Sequence, residues 1–296
     1  MIINPQTLRG IYVSFNTIFT KAFQAEQPLY KSIATVTTST TDAETYAWLG
    51  DIPGMREWIG DREIKNLVGS DYTIKNKDFE LTVGVDRNAI EDDKLGLYNP
   101  SIQMLGQSAA QHPDQLVFSL LASGFKEKCY DGKPFFSKEH KVGKNTAANM
   151  TDEQLSLAAY IAARAAMMSR TNAQGEPLNL VPDTLVVAPA LEATARDILV
   201  ADYINGTKNT MQGTAKPLVV PRLAGNDKAW FLLCTSRPIK PLIYQQRKAA
   251  KFVSLTKEDD ENVFMKKKFV YGADSRGNAG YGFWQMAYGS DGSKAG

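Results

Sequence analysis

The sequence has few of the residues on which catalytic and metal sites depend. Its 296 residues include two histidines, His112 and His140, and two cysteines, Cys129 and Cys234. Neither histidine belongs to an HExxH motif or pairs with a cysteine at metal-ligand spacing. Two cysteines are too few for a disulfide framework, so we expect free, buried thiols in a reducing compartment. The sequence therefore predicts no catalytic residue, cofactor site or metal site.

Several other signatures are missing. There is no GxSxG nucleophile elbow and no GxxxxGK[ST] phosphate loop, and the glycines of SRGNAGYGF are in the wrong order for GxGxxG. The acidic run 91–93 lies ahead of a predicted helix, where carboxylates favour the positive helix end as readily as a cation. No apolar run approaches about 18 residues, so no membrane span is predicted. The N-terminus also lacks the pattern of a secretory signal. These absences argue against an enzyme and against a membrane protein.

The first third of the chain alternates between helical and extended patterns. One short amphipathic helix, which ends before Pro28, is predicted by apolar residues at helical spacing: Ile11, Phe15, Ile18, Phe19 and Ala22. Residues 35–48 are rich in threonine and favour an extended backbone. Alternating residues predict strands at 72–74 and 79–85, with a tight turn at 76–78 between them. This region is predicted to form a long hairpin.

The next helix is predicted to be long and kinked. Asn99 is placed to cap it and Pro100 suits its first position, while the apolar phase continues through Pro113 to Gly124. A capping box formed by Thr151 and Gln154 predicts another helix, which extends to about Ser169.

The last 113 residues, from position 184, mix short strands with turns. TLVVAP predicts a strand, and Pro189 opens a helix after it. Further strands are predicted at 217–223, 229–235, 241–246, 263–272 and 281–289, with SRGN as the connection between the last two. The triple lysine 266–268 is expected on an exposed strand edge. Elements of both kinds along the whole chain indicate an α+β class.

Charge is distributed unevenly along the chain. Residues 42–93 hold thirteen acidic and six basic side chains, a net of −7, whereas residues 94–296 have a net of +7. A hairpin whose net charge is opposite in sign to that of the body is suited to lie on a neighbouring copy of that body. Phe15 and Phe19 have no evident partner within their own element, so assembly is expected to cover them. The candidate inter-subunit contacts are Trp48, Asp51, Glu57, Trp58, Asp61 and Glu63. A solvated hairpin and core tryptophans are the simpler alternative.

Residues 236–257 contain six basic side chains and no acidic one. Such a segment suits non-specific, salt-sensitive contact with nucleic-acid phosphates. The candidate DNA-facing residues are Arg237, Lys240, Arg247 and Lys248. A solvated loop and strand pair is the alternative.

Three segments resemble those of a known family. Residues 99–136, NPSIQMLGQSAAQHPDQLVFSLLASGFKEKCYDGKPFF, resemble the spine helix and following loop of the Mu-like phage major head subunit. Residues 270–290, VYGADSRGNAGYGFWQMAYGS, are similar to the C-terminal part of that family, and TLVVAPALEATARDIL resembles a segment of many tailed-phage capsid proteins. The resemblance implies the tailed-phage (Hong Kong 97-like) capsid fold.

The resemblance also implies a division of the chain. An N-terminal arm is expected at 1–44, an extended loop hairpin at 45–90, the spine helix with the peripheral domain at 91–144, an axial domain at 145–255, and return strands of the peripheral domain at 256–296.

The function implied is a major capsid protein that self-assembles into an icosahedral shell around double-stranded DNA. Its partners would be copies of itself in hexamers and pentamers, packaged DNA, and separate scaffold, portal and decoration proteins. Assembly would take place in the host cytoplasm, with the product in the virion capsid. An encapsulin-like compartment shell is the first alternative, and an enzyme of unrecognised class is the second.

Overall fold

A computed structural model describes residues 2–50, 71–204, 206–257 and 260–294. Its helices are α1 Pro5–Ala25, α2 Tyr30–Ile33, α3 Arg87–Glu91, α4 Asn99–Ser123, α5 Leu157–Met168, α6 Glu192–Leu199 and α7 Glu261–Lys266. Short 3-10 turns occupy Leu95–Tyr98, Pro189–Leu191, Pro221–Leu223 and Trp284–Met286. None of the described helices is both long enough and apolar enough to cross a membrane.

The strands form two larger sheets and three small pairs. The first eight strands are β1 Ala34–Thr38, β2 Ala43–Thr45, β3 Thr73–Lys75, β4 Lys77–Asp86, β5 His140–Val142, β6 Asn145–Ala147, β7 Met150–Thr151 and β8 Thr184–Val187. The others are β9 Tyr203–Ile204, β10 Thr207–Lys208, β11 Lys216–Val219, β12 Trp230–Leu233, β13 Leu242–Leu255, β14 Lys268–Tyr281 and β15 Ala287–Ser290. The orders of the larger sheets are β1-β13-β14-β4 and β11-β8-β12-β15-β7. The small pairs are β2 with β3, β5 with β6, and β9 with β10.

The long β13–β14 hairpin is the centre of the four-stranded sheet. β14 runs antiparallel to both β13 and β4, and β1 runs parallel to β13. Helices α1 and α4 pack together over this sheet, and their apolar side chains share one core with Phe252, Phe269 and Tyr271. The hairpin and the helices therefore stabilise each other across more than 100 residues of sequence.

The predicted N-terminal helix is present, but its burial differs from the expectation. Asn4 caps α1 by accepting a hydrogen bond from the Thr7 N–H at 2.8 Å. Phe15 and Phe19 are buried inside the subunit, with the Phe15 ring edge-on to Tyr271 at 5.0 Å. The expectation that assembly must cover these two residues is wrong, because the sheet of the same chain provides their partners.

Helix α4 confirms the prediction of one continuous helix through Pro113, but the predicted cap is wrong. Asn99 is the first helical residue, and Tyr98 before it makes no side-chain capping bond. Asp114 is buried within α4, and its carboxylate accepts hydrogen bonds from the Leu29 N–H at 3.1 Å and the Tyr30 N–H at 2.6 Å. Asp114 thus supplies the cap of α2 from a distant part of the chain.

The five-stranded sheet contains the predicted strand at 184–187, with the 3-10 turn at Pro189 and α6 following as expected. Helix α5 ends at Met168, close to the prediction, but begins later than predicted. Ser156 is its cap, accepting from the Ala159 N–H at 3.1 Å, and Thr151 lies in β7. The Thr151–Gln154 capping box is therefore wrong, because pairing with β15 holds Thr151 in an extended conformation.

The C-terminal strands also differ from the prediction. SRGN lies inside β14 rather than between strands, because β13 and β4 pair with β14 on both sides. Gly277 permits this pairing, since a Cβ there would lie 2.5 Å from the Gln245 carbonyl oxygen. Residues 263–266, the start of the strand predicted at 263–272, instead belong to α7. Lys267 ends that helix in the left-handed conformation, so the three lysines do not lie along one strand edge.

Candidate inter-subunit and nucleic-acid surfaces

The loop between β2 and β3 leaves the body at a closed base. β2 and β3 pair antiparallel with Thr45 opposite Thr73, and their hydroxyl oxygens lie 2.9 Å apart. The predicted hairpin of 72–74 with 79–85 is wrong, because β3 pairs with β2 whereas β4 joins the four-stranded sheet. Asn76 separates the two strands: its backbone N–H donates to the Asp42 carbonyl oxygen at 2.8 Å. The chain between β2 and β3 therefore begins and ends at this paired base, and β4 is part of the body.

A buried amide attaches this base to the body. The Gln245 Nε2 donates to the Ile74 carbonyl oxygen at 3.0 Å and to the Asn76 Oδ1 at 2.8 Å, and its Oε1 accepts from the Tyr46 hydroxyl at 2.9 Å. Ile74 lies against Gly280, where an added Cβ would come within 2.1 Å of the Ile74 Cδ1. Both polar atoms of the Gln245 amide are hydrogen-bonded, which attaches the paired base of the loop to the body.

Glu44 fixes the bend that connects β1 with β2. Its Oε1 accepts from the backbone N–H of Thr40 at 2.9 Å and of Thr41 at 3.3 Å, and from the Ser39 hydroxyl at 2.9 Å. These hydrogen bonds, with that from Thr40 the strongest, hold the pKa of the exposed Glu44 carboxyl below its ordinary value.

The described residues contain one of the six candidate contact residues. Trp48 is 36% exposed, and its ring lies 5.7 Å from both Tyr46 and Phe283. The subunit itself thus covers much of the indole, and the remainder faces outward beside the loop. The other five candidates, Asp51, Glu57, Trp58, Asp61 and Glu63, lie outside the described residues. Of the other tryptophans, Trp284 is buried as expected.

The four candidate DNA-facing residues do not form one free basic patch. Arg237 donates to the Asn179 carbonyl oxygen at 2.7 Å, and the Lys240 ammonium donates to the Lys31 carbonyl oxygen. Burial lowers the pKa of Lys240. Lys248 forms an ion pair with Asp274, which lies on the adjacent strand β14. Arg247 is exposed and makes no ion pair with any described residue.

Neighbouring strands place acidic residues among these basic ones. Register shifts in β13 on both sides of Lys248 break the alternation, so that Arg247 and Lys248 are both exposed. Asp274 lies opposite Lys251 on one side and opposite Glu80 on the other, and Arg276 lies 3.4 Å from Asp78. The segment is basic in sequence, but in space it is interleaved with carboxylates.

A buried polar cluster follows α4 that the sequence did not indicate. His140, which was expected in a polar loop, is completely buried and stacks on Trp284 at 4.0 Å with 3° between the rings. Its Nδ1 lies 2.6 Å from the Asp131 Oδ2, and its Nε2 lies 3.1 Å from the Asn149 Oδ1. Cys129 donates its thiol hydrogen to the Asp131 Oδ1 at 3.2 Å.

The neighbours of His140 determine where its protons are. Asn149 donates its amide to the Phe135 carbonyl oxygen at 2.7 Å and accepts the Ser137 N–H at 2.7 Å, so its Oδ1 is an acceptor. The His140 Nε2 therefore donates, and its Nδ1 faces a carboxylate. The pair therefore shares one proton between the His140 Nδ1 and the Asp131 carboxylate. Burial alone would raise the pKa of Asp131, but the hydrogen bond and charge of His140 bring it below its ordinary value.

The thiol of Cys129 completes a group of three metal-ligand side chains. The ligand atoms of Cys129, Asp131 and His140 all lie within 4.8 Å of one another. Burial raises the pKa of Cys129 well above its ordinary value, which keeps the thiol protonated and able to donate to Asp131. Direct hydrogen bonds thus account for this arrangement, and its effect is to attach the loop after α4 to Trp284.

Arg170, two residues after the end of α5, reaches the same tryptophan. Its Nη1 donates to the carbonyl oxygens of Gln285 and of Ala287, the latter at 3.1 Å, and its guanidinium carbon lies 5.5 Å from the centre of the Trp284 ring. Burial lowers the pKa of Arg170 to about 10. Both contacts fix the turn that leads into β15, and no sequence pattern singled out Arg170 for this position.

Comparison with known proteins gives a match along almost the whole chain. A family model described as the Mu-like prophage major head subunit gpT matches residues 8–156, 146–223 and 222–294. The Mu-like prophage FluMu major head subunit of Haemophilus influenzae is 36% identical over 97% of this chain and 73% of the relative. The major capsid protein of Escherichia phage Mu is 34% identical over 97% of this chain and 74% of the relative.

A solved structure of similar fold gives the same answer. A chain from the procapsid of bacteriophage JBD30 superposes with a TM-score of 0.62 at 37% identity, covering 97% of this chain and 76% of the other. The α4 helix, the long hairpin and the five-stranded sheet are thus arranged as in the tailed-phage capsid fold, which confirms the fold class expected from the sequence. This chain belongs to the Mu-like phage major head subunit family.

Proposed function

We propose that this capsid subunit assembles into a closed icosahedral shell that surrounds double-stranded DNA. The family is that of structural head proteins, so the chain is a major capsid protein and not an enzyme. The observation that carries the proposal is the match over 97% of the chain to phage head proteins, one of which was solved in a procapsid. Closed symmetric packing of one chain into rings and shells suits such a subunit.

The anchored base of the extended loop supports a role for that loop in assembly. The Gln245 network holds Tyr46, Ile74 and Asn76, at the two ends of this segment, against the body. A projecting loop with a fixed base can reach over a neighbouring copy in hexamers and pentamers. The division into arm, loop, peripheral and axial domains belongs to the same proposal.

DNA is proposed as the content, with phosphate contact that is non-specific. The curated relatives are phage head proteins, which favours DNA over the cargo enzyme of an encapsulin-like compartment. Arg247, which is exposed and makes no ion pair with any described residue, is the side chain best placed for such contact. Separate scaffold, portal and decoration proteins, and assembly in the host cytoplasm, complete the proposal. Nucleic-acid analysis of particles purified from phage-producing cells would distinguish DNA from protein cargo.

Replacing residues 51–70 with a flexible linker of about six glycines and serines is expected to prevent shell formation. The change keeps Tyr46, Trp48 and Tyr72, so the base of the loop and the body should still fold. Sedimentation and electron microscopy of the purified protein should show shells for the unmodified chain and only subunits or capsomers for the variant. Equal melting temperatures of the two unassembled proteins would serve as the folding control. Normal shells from the variant would contradict a role for the loop.

Neutralising the acidic loop is expected to slow assembly at low salt. The variant changes Asp51 and Asp61 to Asn and Glu57 and Glu63 to Gln. Each exposed pair contributes only about 0–1 kcal/mol, so the effect is collective and acts on the association rate. Light scattering across a salt series should show unmodified assembly slowing as salt rises and a flatter response for the variant. A matched control neutralises four exposed acidic residues of the body: Glu127, Glu139, Asp197 and Asp227. Equal salt dependence of the unmodified protein and the loop variant would contradict steering.

A further inference from the structure

One end of the four-stranded sheet exposes a group of large apolar side chains. Here β13 ends, α7 turns the chain, and β14 begins. The exposed fractions are 79% for Phe264, 69% for Met265, 50% for Leu255, 40% for Val253 and 80% for Ile2. Apolar groups clustered on a surface in this way mark sites of protein contact.

The end of the sheet, which we call the sheet tip (residues 253–257 and 260–268), is held in place. Val263 is buried in the core under α1. The Asn262 Nδ2 donates to the Leu255 carbonyl oxygen at 3.2 Å and to the Lys268 carbonyl oxygen at 2.7 Å, which joins the ends of β13 and β14. Because Val263 is anchored, the following residues Phe264 and Met265 are held outward. Their exposure is therefore built into the tip.

A groove lies beside this tip, between the start of α1 and the end of β13. Its volume is about 660 Å³, and it is lined by Ile3, Pro5, Leu8, Tyr12, Ser254 and Thr256. Pockets of roughly 300–1,000 Å³ admit small organic ligands, so this groove has room for large side chains. Arg9 and Lys257 line the groove as well, whereas the first turn of α7 contains Glu261. The groove thus carries two basic side chains, and α7 offers one acidic side chain, Glu261, in its first turn and Lys266 in its last.

We propose that the sheet tip is a contact between copies of this chain, with Phe264 and Met265 of one copy lying in the groove of the next. The proposal rests on the shell function above, which supplies neighbouring copies in every particle. Phe264 and Met265, which we call the plug, lie beside the groove at one end of the molecule. Repeated head-to-tail contacts around a symmetry axis would therefore occupy every groove. Glu261 would then approach Arg9 and Lys257 of the neighbouring copy.

Phosphate-bearing partners fit the tip less well. The plug is an aromatic and a thioether side chain, which contact apolar surfaces, and a protein interface core is enriched in such residues and poor in charge. The lysines at 266–268 follow the plug in the chain. They suit the rim of an interface, which is polar. A second copy supplies an apolar groove of matching size at every site, and no additional component is required.

Cysteine cross-linking between two singly substituted proteins tests the geometry. Met265→Cys protein is mixed with Asn4→Cys protein, assembled and oxidised; the native Cys129 and Cys234 are buried. A cross-linked dimer is expected, and it can form only between copies because each protein carries one of the two substitutions. Mixing Met265→Cys with Val181→Cys, which is exposed in another part of the subunit, provides the control. Absence of the dimer from assembled shells would overturn the proposal.

Replacing the plug tests its energetic importance. The Phe264→Ser, Met265→Ser double variant is expected to need at least about tenfold more subunit to form shells, since a few central apolar residues carry most interface affinity. Phe264→Leu should assemble almost normally. The two replaced side chains are exposed, so the unassembled subunit should keep its melting temperature. Shells formed at the unmodified concentration would overturn the proposal and leave the groove to a different protein. Failure of the unmodified chain to form shells would instead refute the shell function.

Discussion

Asp131→Ala is expected to lower the free energy of unfolding of the unassembled subunit by about 3–5 kcal/mol, the cost of removing one partner of a buried ion pair. His140 is completely buried, and both of its ring nitrogens face acceptors. Without the carboxylate, either the imidazolium is left unpaired or the Nδ1 has no partner. The thiol of Cys129 loses its acceptor as well. Denaturant titration of the purified subunit measures the difference.

Glu139→Ala is the matched control for this change. Glu139 lies in the same segment and pairs with Lys133, but its side chain is 71% exposed, so its removal should cost much less stability than the loss of Asp131. Equal losses for the two variants would show that the Asp131 pair adds nothing beyond a surface contact.

The contribution of Asp131 should also depend on pH. Its pKa is lowered in the folded protein, so its stabilising effect is complete above the ordinary pKa of about 3.9 and is lost as pH falls through the folded value. The difference in unfolding free energy between the unmodified protein and Asp131→Ala should therefore narrow below about pH 4. A difference that stays constant through the acid range would contradict the ion pair.

Arg170→Met is expected to destabilise the subunit by about 2–4 kcal/mol, because it removes the donor to the buried carbonyl oxygens of Gln285 and Ala287. Methionine retains much of the side-chain volume, so the change tests the hydrogen bonds more than the packing. Thermal unfolding, with the near-ultraviolet signal of Trp284 as a local probe, should report both the loss of stability and the loosened turn.

Arg196→Met provides the comparison for Arg170. Arg196 pairs with Glu192 on the exposed surface of α6, with a side chain that is 57% exposed, and its loss should cost at most about 0.5 kcal/mol. Equal stability of the two arginine variants would show that the hydrogen bonds from Arg170 to the carbonyl oxygens before β15 do not stabilise the subunit.

Local sequence patterns were sufficient to predict the elements whose apolar residues lie on one face. The spacing of Ile11, Phe15 and Phe19 predicted α1, and the phase maintained through Pro113 predicted one continuous α4. Scarcity of histidine and cysteine and the lack of catalytic motifs argued correctly against an enzyme. The resemblance of residues 99–136 and 270–290 to Mu-like head subunits led to the family that the comparisons show.

Strand partners and surface charge required the tertiary structure. Periodicity shows which residues share a face of a strand, but it does not say which distant strand lies beside it. For that reason the local pattern predicts a single hairpin for β3 and β4, and it predicts SRGN as a connection although SRGN lies within β14. The run of six basic residues was visible in sequence, whereas Asp274, which pairs with Lys248, comes from another strand.

The sequence by itself determined the kind of protein: a mixed helix and sheet subunit without catalytic chemistry, related to phage head proteins. Only the tertiary structure decided that Phe15 is internal, that His140 is a buried partner of Asp131, and that Phe264 is presented outward. The physical reason is that burial and pairing are set by contacts between residues far apart in the chain. A short polar segment such as that around His140 has the same local pattern whether it meets water or the face of Trp284.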